Sequence, residues 1–257
     1  MAPWFRSNDG SLATAPRVYC FSHAGGNSDN FLEWQPAIGP DVRIVAVTMP
    51  GRGHRFAESR PDSIDEYADA AAEAIARDVA ASYVLFGHSL GALVAFEVAR
   101  RLRADSRLRH LVASGAAAPA LLPSQRVVRA AALEGREFAE AVGAFGGLPP
   151  EVVAAEELHD LLLPGVQADF RLVAGYRYRP AAALPFGVTL INGVDDSHVT
   201  EERLDRWADE CRTPPPRIWV PGGHFYLRDD PEPVIEVLRR AAAVDEARTA
   251  GHSDLLI

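Results

Sequence analysis

Short apolar runs alternate with amphipathic stretches along most of the chain. Continuous apolar and β-branched runs predict buried strands, and they fall at residues 17–22, 42–48, 83–86, 108–114, 187–192 and 217–220. Apolar residues at helical spacing between these runs predict helices at 64–81, 90–102 and 234–247. Ser63 is the predicted N-cap of the first helix. This alternation predicts an α/β fold with a mostly parallel central sheet and helices on both faces.

One block interrupts the alternation. Residues 119–180 contain no strand pattern, and their apolar spacing predicts three helices with Pro and Gly breaks, at 137–145, 151–163 and 166–176. About sixty residues of helix between two strands suggest a helical lid over one edge of the sheet. The alternative is that these helices only enlarge the core. We expect a single domain over residues 1–257, with flexible tails at 1–14 and 248–257.

Composition narrows the range of functions. The net charge is −9 and all 26 basic residues are arginine, so the chain offers neither a broad cationic surface for nucleic acid nor a lysine for Schiff-base or P-loop chemistry. Two cysteines, Cys20 and Cys211, cannot form a disulfide framework or a four-thiolate zinc site. The chain shows no signal-peptide pattern and no apolar run long enough for a membrane helix. We therefore expect a cytoplasmic protein without a membrane partner, and a monomer by default.

The segment Gly87-His88-Ser89-Leu90-Gly91 is the sharpest candidate for a catalytic motif. It lies between a predicted strand and a predicted helix, where a serine sits in strained backbone and flanking glycines relieve the crowding. Such a turn lifts the hydroxyl above the carboxyl end of the strand, where α/β sheets bind ligands, and places it at a helix N-terminus. We predict that Ser89 is a nucleophile; the alternative is a surface turn whose serine caps the helix.

A serine hydroxyl needs a base at neutral pH. His224 is the predicted base, because the PGGHF segment follows the last strand as a loop that can aim an imidazole, and because the order Ser, acid, His is expected for this architecture. His23 and His88 flank turns and are expected to be structural. Five other histidines have no sequence setting comparable to that of His224: His54, His110, His159, His198 and His252.

The base needs a carboxylate that orients it. Asp195 and Asp196 both follow the strand predicted at 187–192, and either can serve. The first aspartate of such a pair often caps the turn itself, which favours Asp196. A metal site formed by the two aspartates and His198 is disfavoured, because no second cluster supplies the remaining ligands.

A tetrahedral oxyanion needs two preorganised donors. The backbone N–H of Leu90, the residue after the nucleophile, is one candidate. The other is expected from the loop after the first long strand, Ser22-His23-Ala24-Gly25-Gly26, and we assign it to Ala24. The alternative for this loop is a plain Gly-Gly turn.

Several longer segments carry a family resemblance. They are FSHAGGNSDNFLEWQPAI, VTMPGRGHRFAE, FGHSLGALVAFEVAR, GGLPPEV, LLLPGVQADFRLVAGYRY, NGVDDSHV and PGGHFYL. Together they resemble the type II thioesterases, discrete α/β-hydrolase-fold enzymes that accompany polyketide synthases and nonribosomal peptide synthetases. The resemblance covers roughly residues 16–242, and the FSHAGG loop, the Pro50-Gly51-Arg52 turn and Ala168-Asp169-Phe170 separate it from generic lipases. One departure is Ser22, where the family commonly has proline.

The resemblance implies hydrolysis of acyl thioesters on the phosphopantetheine arm of acyl or peptidyl carrier proteins, for editing or release of acyl chains. Matching motif to motif, it assigns Ser89 as nucleophile, Asp196 as acid and His224 as base, with the N–H groups of Ala24 and Leu90 as oxyanion donors. It implies no metal and no cofactor of the enzyme's own, because the pantetheine belongs to the partner.

Two other functions stay open at this stage. One is a carboxylesterase or acyl-CoA thioesterase on the same fold, since a fold does not determine a function. The other is a non-catalytic binding protein, which the presence of a serine, an acid and a histidine disfavours.

The apolar side chains of the predicted lid have two possible roles. They line an acyl channel, or they only pack the lid onto the sheet. Arginines in or beside the lid are candidates for a carrier-docking patch: Arg126, Arg129, Arg136, Arg171, Arg177 and Arg179.

Overall fold

The computed structural model describes residues 3–8, 15–78 and 80–243, in which seven strands form one sheet. The strands are β1 (Phe5–Arg6), β2 (Arg17–Phe21), β3 (Arg43–Val47), β4 (Tyr83–His88), β5 (Leu108–Ser114), β6 (Gly187–Gly193) and β7 (Arg217–Val220). Their order across the sheet is β1-β3-β2-β4-β5-β6-β7. Neighbouring strands are parallel except at the β1–β3 edge. The predicted mostly parallel sheet is thus confirmed.

Helices connect the strands and cover the sheet. Those of the described residues are α1 (Gln35–Ile38), α2 (Ile64–Ala76), α3 (Leu90–Arg101), α4 (Gln125–Ala131), α5 (Gly135–Gly143), α6 (Pro150–Ala154), α7 (His159–Gly175), α8 (Glu201–Asp205), α9 (Tyr226–Asp229) and α10 (Glu232–Ala243), with short 3-10 turns between some of them. The Ser63 hydroxyl caps α2 by accepting the Glu66 N–H, as predicted. Within the described ranges, each helix is too short or too polar to cross a lipid bilayer.

Two apolar layers enclose the sheet because alternate residues of its central strands point to opposite faces. Tyr19 and Leu85 belong to the layer under α2 and α3. Their neighbours Cys20 and Phe86 belong to the layer under α10. Burial on both faces explains why β2, β3 and β4 are apolar at nearly every position, a pattern that the sequence displays directly.

The edges of several elements differ from the prediction. The helix expected over 64–81 ends at Ala76, and β4 extends through His88. Phe5–Arg6 lies in the segment predicted as a loose tail, yet it pairs antiparallel with β3, so that part of the tail prediction is wrong. Two residues are too few for an alternating pattern to reveal such a strand. Residues 9–14, and the tail predicted at 248–257, lie outside the described residues.

The helical insertion, residues 119–180, contains α4 to α7 and has an apolar core of its own. α5 lies where a helix was predicted at 137–145, but α4 was not predicted. The prediction of separate helices at 151–163 and 166–176 is wrong, since α7 continues through Pro164. Leu163, Val166 and Phe170 share the buried face of α7 and pack in this core, which outweighs the one hydrogen bond that the proline removes. The role of the insertion as a lid stays a prediction.

Candidate active site

Ser89 lies in the sharp turn between β4 and α3, at the carboxyl edge of the sheet. It has φ 57° and ψ −117°, and it is the one non-glycine residue with positive φ in the part of the chain that the structure describes. A Cβ atom on Gly87 would lie 2.0 Å from the Gly91 carbonyl oxygen, and one on Gly91 would lie 2.1 Å from the Phe21 carbonyl oxygen. Only glycine fits both positions, so the two glycines allow the strained turn that exposes the serine.

His224 follows β7, and Asp196 follows β6. The His224 Nδ1 lies 2.6 Å from Asp196 Oδ2, and the carboxylate of Asp196 is fully buried. The other oxygen of Asp196 accepts the His198 N–H at 2.8 Å. Asp195, the alternative acid, is exposed, and its N–H donates to the Gly222 carbonyl. Of the two aspartates, only Asp196 contacts the imidazole.

The environment of Asp196 favours its charged form. Burial raises its pKa, but the hydrogen bonds from His224 and from the His198 N–H outweigh burial and hold the pKa below its usual value. A carboxylate that accepts from His224 Nδ1 keeps the proton on that nitrogen, and it leaves Nε2 as the basic nitrogen of the ring. The pair therefore has the geometry of an oriented general base.

Ser89 and His224 line the same cavity of about 180 Å³, which lies between the sheet edge and the helical insertion. Ala24 and Leu90 line it too. Much of the remaining wall is apolar, and it includes Leu93, Leu122, Val127, Phe145, Phe170 and Val173. The structure therefore brings all the predicted site residues to one cavity, with Asp196 behind His224.

The backbone N–H groups of Ala24 and Leu90 have no acceptor within the described ranges of the chain. Leu90 is the first residue of α3, where a helix leaves its N–H groups unpaired. Ala24 lies in a turn that closes with a hydrogen bond from the Gly26 N–H to the His23 carbonyl, at 2.9 Å. Two unpaired donors at the wall of the serine cavity can bind an anionic oxygen.

The cavity also contains His198 and Arg126, which the sequence reasoning did not assign to the site. Arg126 Nη1 lies 3.2 Å from His198 Nδ1, and the His198 ring stacks on Phe145 at a centroid distance of 4.4 Å. Burial first, and then the nearby Arg126 charge, lower the pKa of His198 to about 4. The sequence could have indicated His198, because it lies two residues after Asp196 on the same loop and is therefore close to the site. Arg126 had no such local signal.

His88 is fully buried beneath the site and tied into a chain of hydrogen bonds. The Tyr226 hydroxyl donates to the Ile191 carbonyl, so the Ser114 hydroxyl donates to Tyr226 at 2.6 Å and accepts from His88 Nδ1 at 2.9 Å. This order places the proton on Nδ1 and leaves His88 Nε2, which has no partner, as a bare nitrogen. Burial lowers the pKa of His88 far below its usual value.

His23 completes a group of imidazole rings around His224. Its ring lies 5.8 Å from that of His88, and its Nε2 lies 3.1 Å from Arg228 Nη2. Burial first, and then the Arg228 charge, lower the pKa of His23 to about 3. Like His198, it is therefore uncharged at physiological pH. In the described part of the chain, no three His, Cys, Asp or Glu side chains form a group that could hold a metal ion.

Comparisons with known proteins agree with this geometry. A family model described as "Thioesterase domain" matches residues 16–242. The chain is 33% identical over 231 residues to the thioesterase PikA5 of Streptomyces venezuelae, covering 88% of this chain and 80% of that protein. It is 28% identical over 237 residues to the gramicidin S biosynthesis protein GrsT of Aneurinibacillus migulanus, covering 91% and 92%. The solved structure of the type II thioesterase BorB from the borrelidin biosynthetic cluster is similar at a TM-score of 0.83 and 31% identity, over 93% of this chain and 97% of that chain.

Proposed function

The chain belongs to the thioesterase family and has the α/β-hydrolase fold of the type II thioesterases. We therefore propose that Ser89 is the nucleophile that removes acyl groups from the phosphopantetheine arm of carrier proteins. The observation that carries the proposal is that Ser89 and His224 line one cavity, with His224 held by the buried Asp196. The thioester hydrolase activity itself follows from the family.

The proposed reaction has two halves. In the first, His224 Nε2 takes the Ser89 proton while Oγ attacks the thioester carbonyl, and the N–H groups of Ala24 and Leu90 bind the oxyanion. The intermediate then expels the pantetheine thiol, which takes the proton from His224. In the second half, His224 deprotonates a water that attacks acyl-Ser89, and the proton returns to Ser89 as the free acid leaves. This chemistry uses only groups of the chain and one water molecule, and it needs no metal or redox cofactor.

Two features support an acyl-carrier substrate. The apolar wall beside Ser89 suits an aliphatic chain. The names of the relatives point to biosynthetic pathways, since GrsT is named for gramicidin S biosynthesis and BorB for the borrelidin biosynthetic cluster. We further propose that the enzyme is a cytoplasmic monomer whose partner is the carrier protein.

The arginines proposed as a docking patch differ in their surroundings. Arg136 is paired with Glu140 and Glu156, and Arg171 with Glu134. Arg126 is turned to the cavity, where it donates to the Ala144 carbonyl. Paired guanidinium groups attract an acidic partner weakly, because the glutamates cancel much of their field. Arg179 also lies near a carboxylate, since its Nη1 is 3.8 Å from Asp65 Oδ2. Any electrostatic attraction of a carrier therefore depends mainly on Arg129 and Arg177.

A substrate panel tests the proposal. We expect kcat/KM to be highest for an acyl group on a carrier protein, lower for the same group on CoA or pantetheine, and lowest for an oxygen ester. A carrier adds binding contacts, and a thiol leaves more readily than an alcohol. The Ser89→Ala variant serves as the blank for each substrate. A preference for oxygen esters would replace the proposal with a carboxylesterase, and equal rates on carrier and CoA would leave an acyl-CoA thioesterase.

A further inference from the structure

Asp169, on the buried face of α7, has a fully buried carboxylate that joins three segments of the chain. Its Oδ2 accepts from Arg52 Nη2 at 2.6 Å and from the Gly25 N–H at 2.7 Å, and its Oδ1 contacts Arg60 Nη2. A carboxylate removed from water is costly unless it is paired and hydrogen-bonded, and here both oxygens are satisfied. The Asp169 carboxylate therefore links the helical insertion to two other segments, residues 52–60 and the loop that contains Ala24.

The contacts of this carboxylate fix the turn that carries the Ala24 N–H. Within a peptide unit, the carbonyl of one residue and the N–H of the next are coplanar. The Gly25 N–H is held by Asp169, which fixes the peptide plane after Ala24. The His23 carbonyl accepts the Gly26 N–H, which fixes the plane that contains the Ala24 N–H itself. Arg52 Nη1 donates to the Gly26 carbonyl at 2.9 Å and holds the closing end of the turn.

α7 also packs directly against this turn. Gly25 has a left-handed φ of 77°, and a Cβ atom there would lie 2.9 Å from Val166 Cγ2. Arg52 and Arg60 each donate to the Gly165 carbonyl as well as to Asp169, at 3.4 and 3.3 Å. The turn and the helix thus share a close steric contact and two cationic side chains. A displacement of α7 would remove the acceptor of the Gly25 N–H and free the turn.

We propose that Asp169 is a positioning residue, which orients the Ala24 N–H for the oxyanion and makes that orientation depend on the packing of α7 against the turn at residues 23–26. This inference rests on the proposed function, because it assigns the Ala24 N–H to the oxyanion. Asp169 does not touch the substrate. It acts through the Gly25 peptide and through Arg52, and it makes the helical insertion part of the catalytic geometry.

The Asp169→Asn variant tests the proposal. The amide keeps the size of the side chain but cannot satisfy two guanidinium groups and the Gly25 N–H together. Complete loss of an oxyanion donor costs roughly 10²–10³-fold in kcat. For a misplaced donor we expect a loss of about 10–10²-fold in kcat with KM little changed. Hydrogen exchange at the peptide covering residues 22–26 should also accelerate.

An alkylboronic acid separates positioning from general damage, because its tetrahedral adduct with Ser89 places an oxygen at the oxyanion donors. We expect its affinity to fall by the same factor as kcat. The affinity for a non-hydrolysable thioether analogue, which forms no oxyanion, should hold within twofold. Asp105→Asn is the matched control, because Asp105 also pairs with an arginine, at 2.7 Å, but at the opposite edge of the sheet. It should retain wild-type kcat and boronate affinity.

Arg52→Lys gives a second variant in case Asp169→Asn does not fold. It keeps the charge but cannot reach Asp169, Gly165 and Gly26 at once, so we expect a smaller loss in the same direction. A folded Asp169→Asn with wild-type kcat and boronate affinity would overturn the proposal, and so would equal losses of boronate and thioether affinity. Neither outcome bears on the proposed function, which fails if wild-type thioester hydrolysis does not depend on Ser89 or if the substrate panel shows no preference for the acyl-carrier thioester.

Discussion

In the proposed reaction, the hydroxyl of Ser89 depends on the imidazole of His224, and that imidazole depends on the carboxylate of Asp196. Asp196 accepts from His224 Nδ1 at 2.6 Å and from the His198 N–H at 2.8 Å, so both its position and its charge are determined. The buried carboxylate has two jobs in the proposed reaction. It holds the tautomer of His224 that leaves Nε2 free to take a proton, and it stabilises the imidazolium that then forms.

We expect Asp196→Asn to lower kcat by roughly 10⁴-fold, because an amide can hold the wrong tautomer of the ring and cannot stabilise its charged form. Steady-state hydrolysis of an acyl-carrier substrate measures the loss. Asp195→Asn is the matched control, since Asp195 is exposed and its side chain makes no hydrogen bond or ion pair with the described residues. Equal losses in the two variants, or none in Asp196→Asn, would contradict the assigned role.

Some residues of the candidate site could be predicted from the sequence, and others could not. Ser89 was predicted from a local pattern, a GxSxG turn between a strand and a helix, and the turn has the expected strain. Asp196 and His224 were predicted from their places after strands, because parallel strands end at a common edge. Arg126 was missed because its approach to His198 joins residues 72 positions apart, and only tertiary packing creates that contact.

At the scale of elements, the helical insertion is packed as a unit with its own core. Phe138 of α5 is fully buried there, with its ring 5.5 Å from that of Phe170 on α7. Phe170 also lines the cavity beside Ser89. Packing inside the insertion therefore shapes one wall of the site, although Ser89, Asp196 and His224 follow strands of the sheet.

We expect Phe138→Ala to loosen the insertion while the sheet stays intact. Removing a buried phenylalanine costs about 3–5 kcal/mol, which here falls mainly on the small core of the insertion. Hydrogen exchange should accelerate over residues 125–175 and stay slow in β4 and β5. Phe96→Ala is the comparison, because Phe96 is equally buried in the main core and its loss should weaken protection across the sheet. Equal acceleration everywhere in Phe138→Ala would show that the insertion is not a separate unit.

The elements were predictable where local pattern and tertiary packing agree. Strands β2 to β5 are buried on both faces, and their apolar runs mark them clearly. α7 was predicted as two helices because Pro164 and Gly165 weaken the helix locally. The continuous helix is stabilised by packing of its buried face against α5, which the local sequence does not show. β1 was also not predicted, because its two residues form a strand only through their pairing with β3.

For the whole molecule, the buried histidines link stability to pH. His23, His88 and His198 have pKa values lowered first by burial, to about 3 for His23 and about 4 for His198. An unfolded histidine has a pKa of about 6.5. Below that pH the unfolded chain binds protons that the folded chain excludes, so stability is lost as the pH falls from about 6.5 towards 4.

We expect the free energy of unfolding, measured with urea, to fall as the pH is lowered from 7 to 5. Each excluded proton contributes a slope of at most about 1.4 kcal/mol per pH unit. A His23→Asn, His198→Asn double variant should show a shallower slope, whatever its stability at pH 7. A slope as steep as that of the wild type would contradict the inferred neutral state of these two rings.

The central claim is that the acyl group passes through Ser89, and trapping the acyl-enzyme tests it most directly. Wild-type enzyme is mixed with a carrier protein bearing a saturated acyl thioester, quenched in acid at short times, digested and analysed by mass spectrometry. We predict that the peptide containing Ser89 gains the mass of the acyl group on that serine, and that Ser89→Ala shows neither the adduct nor turnover. Hydrolysis at the wild-type rate by Ser89→Ala, or an acyl group found only on another residue, would contradict the account.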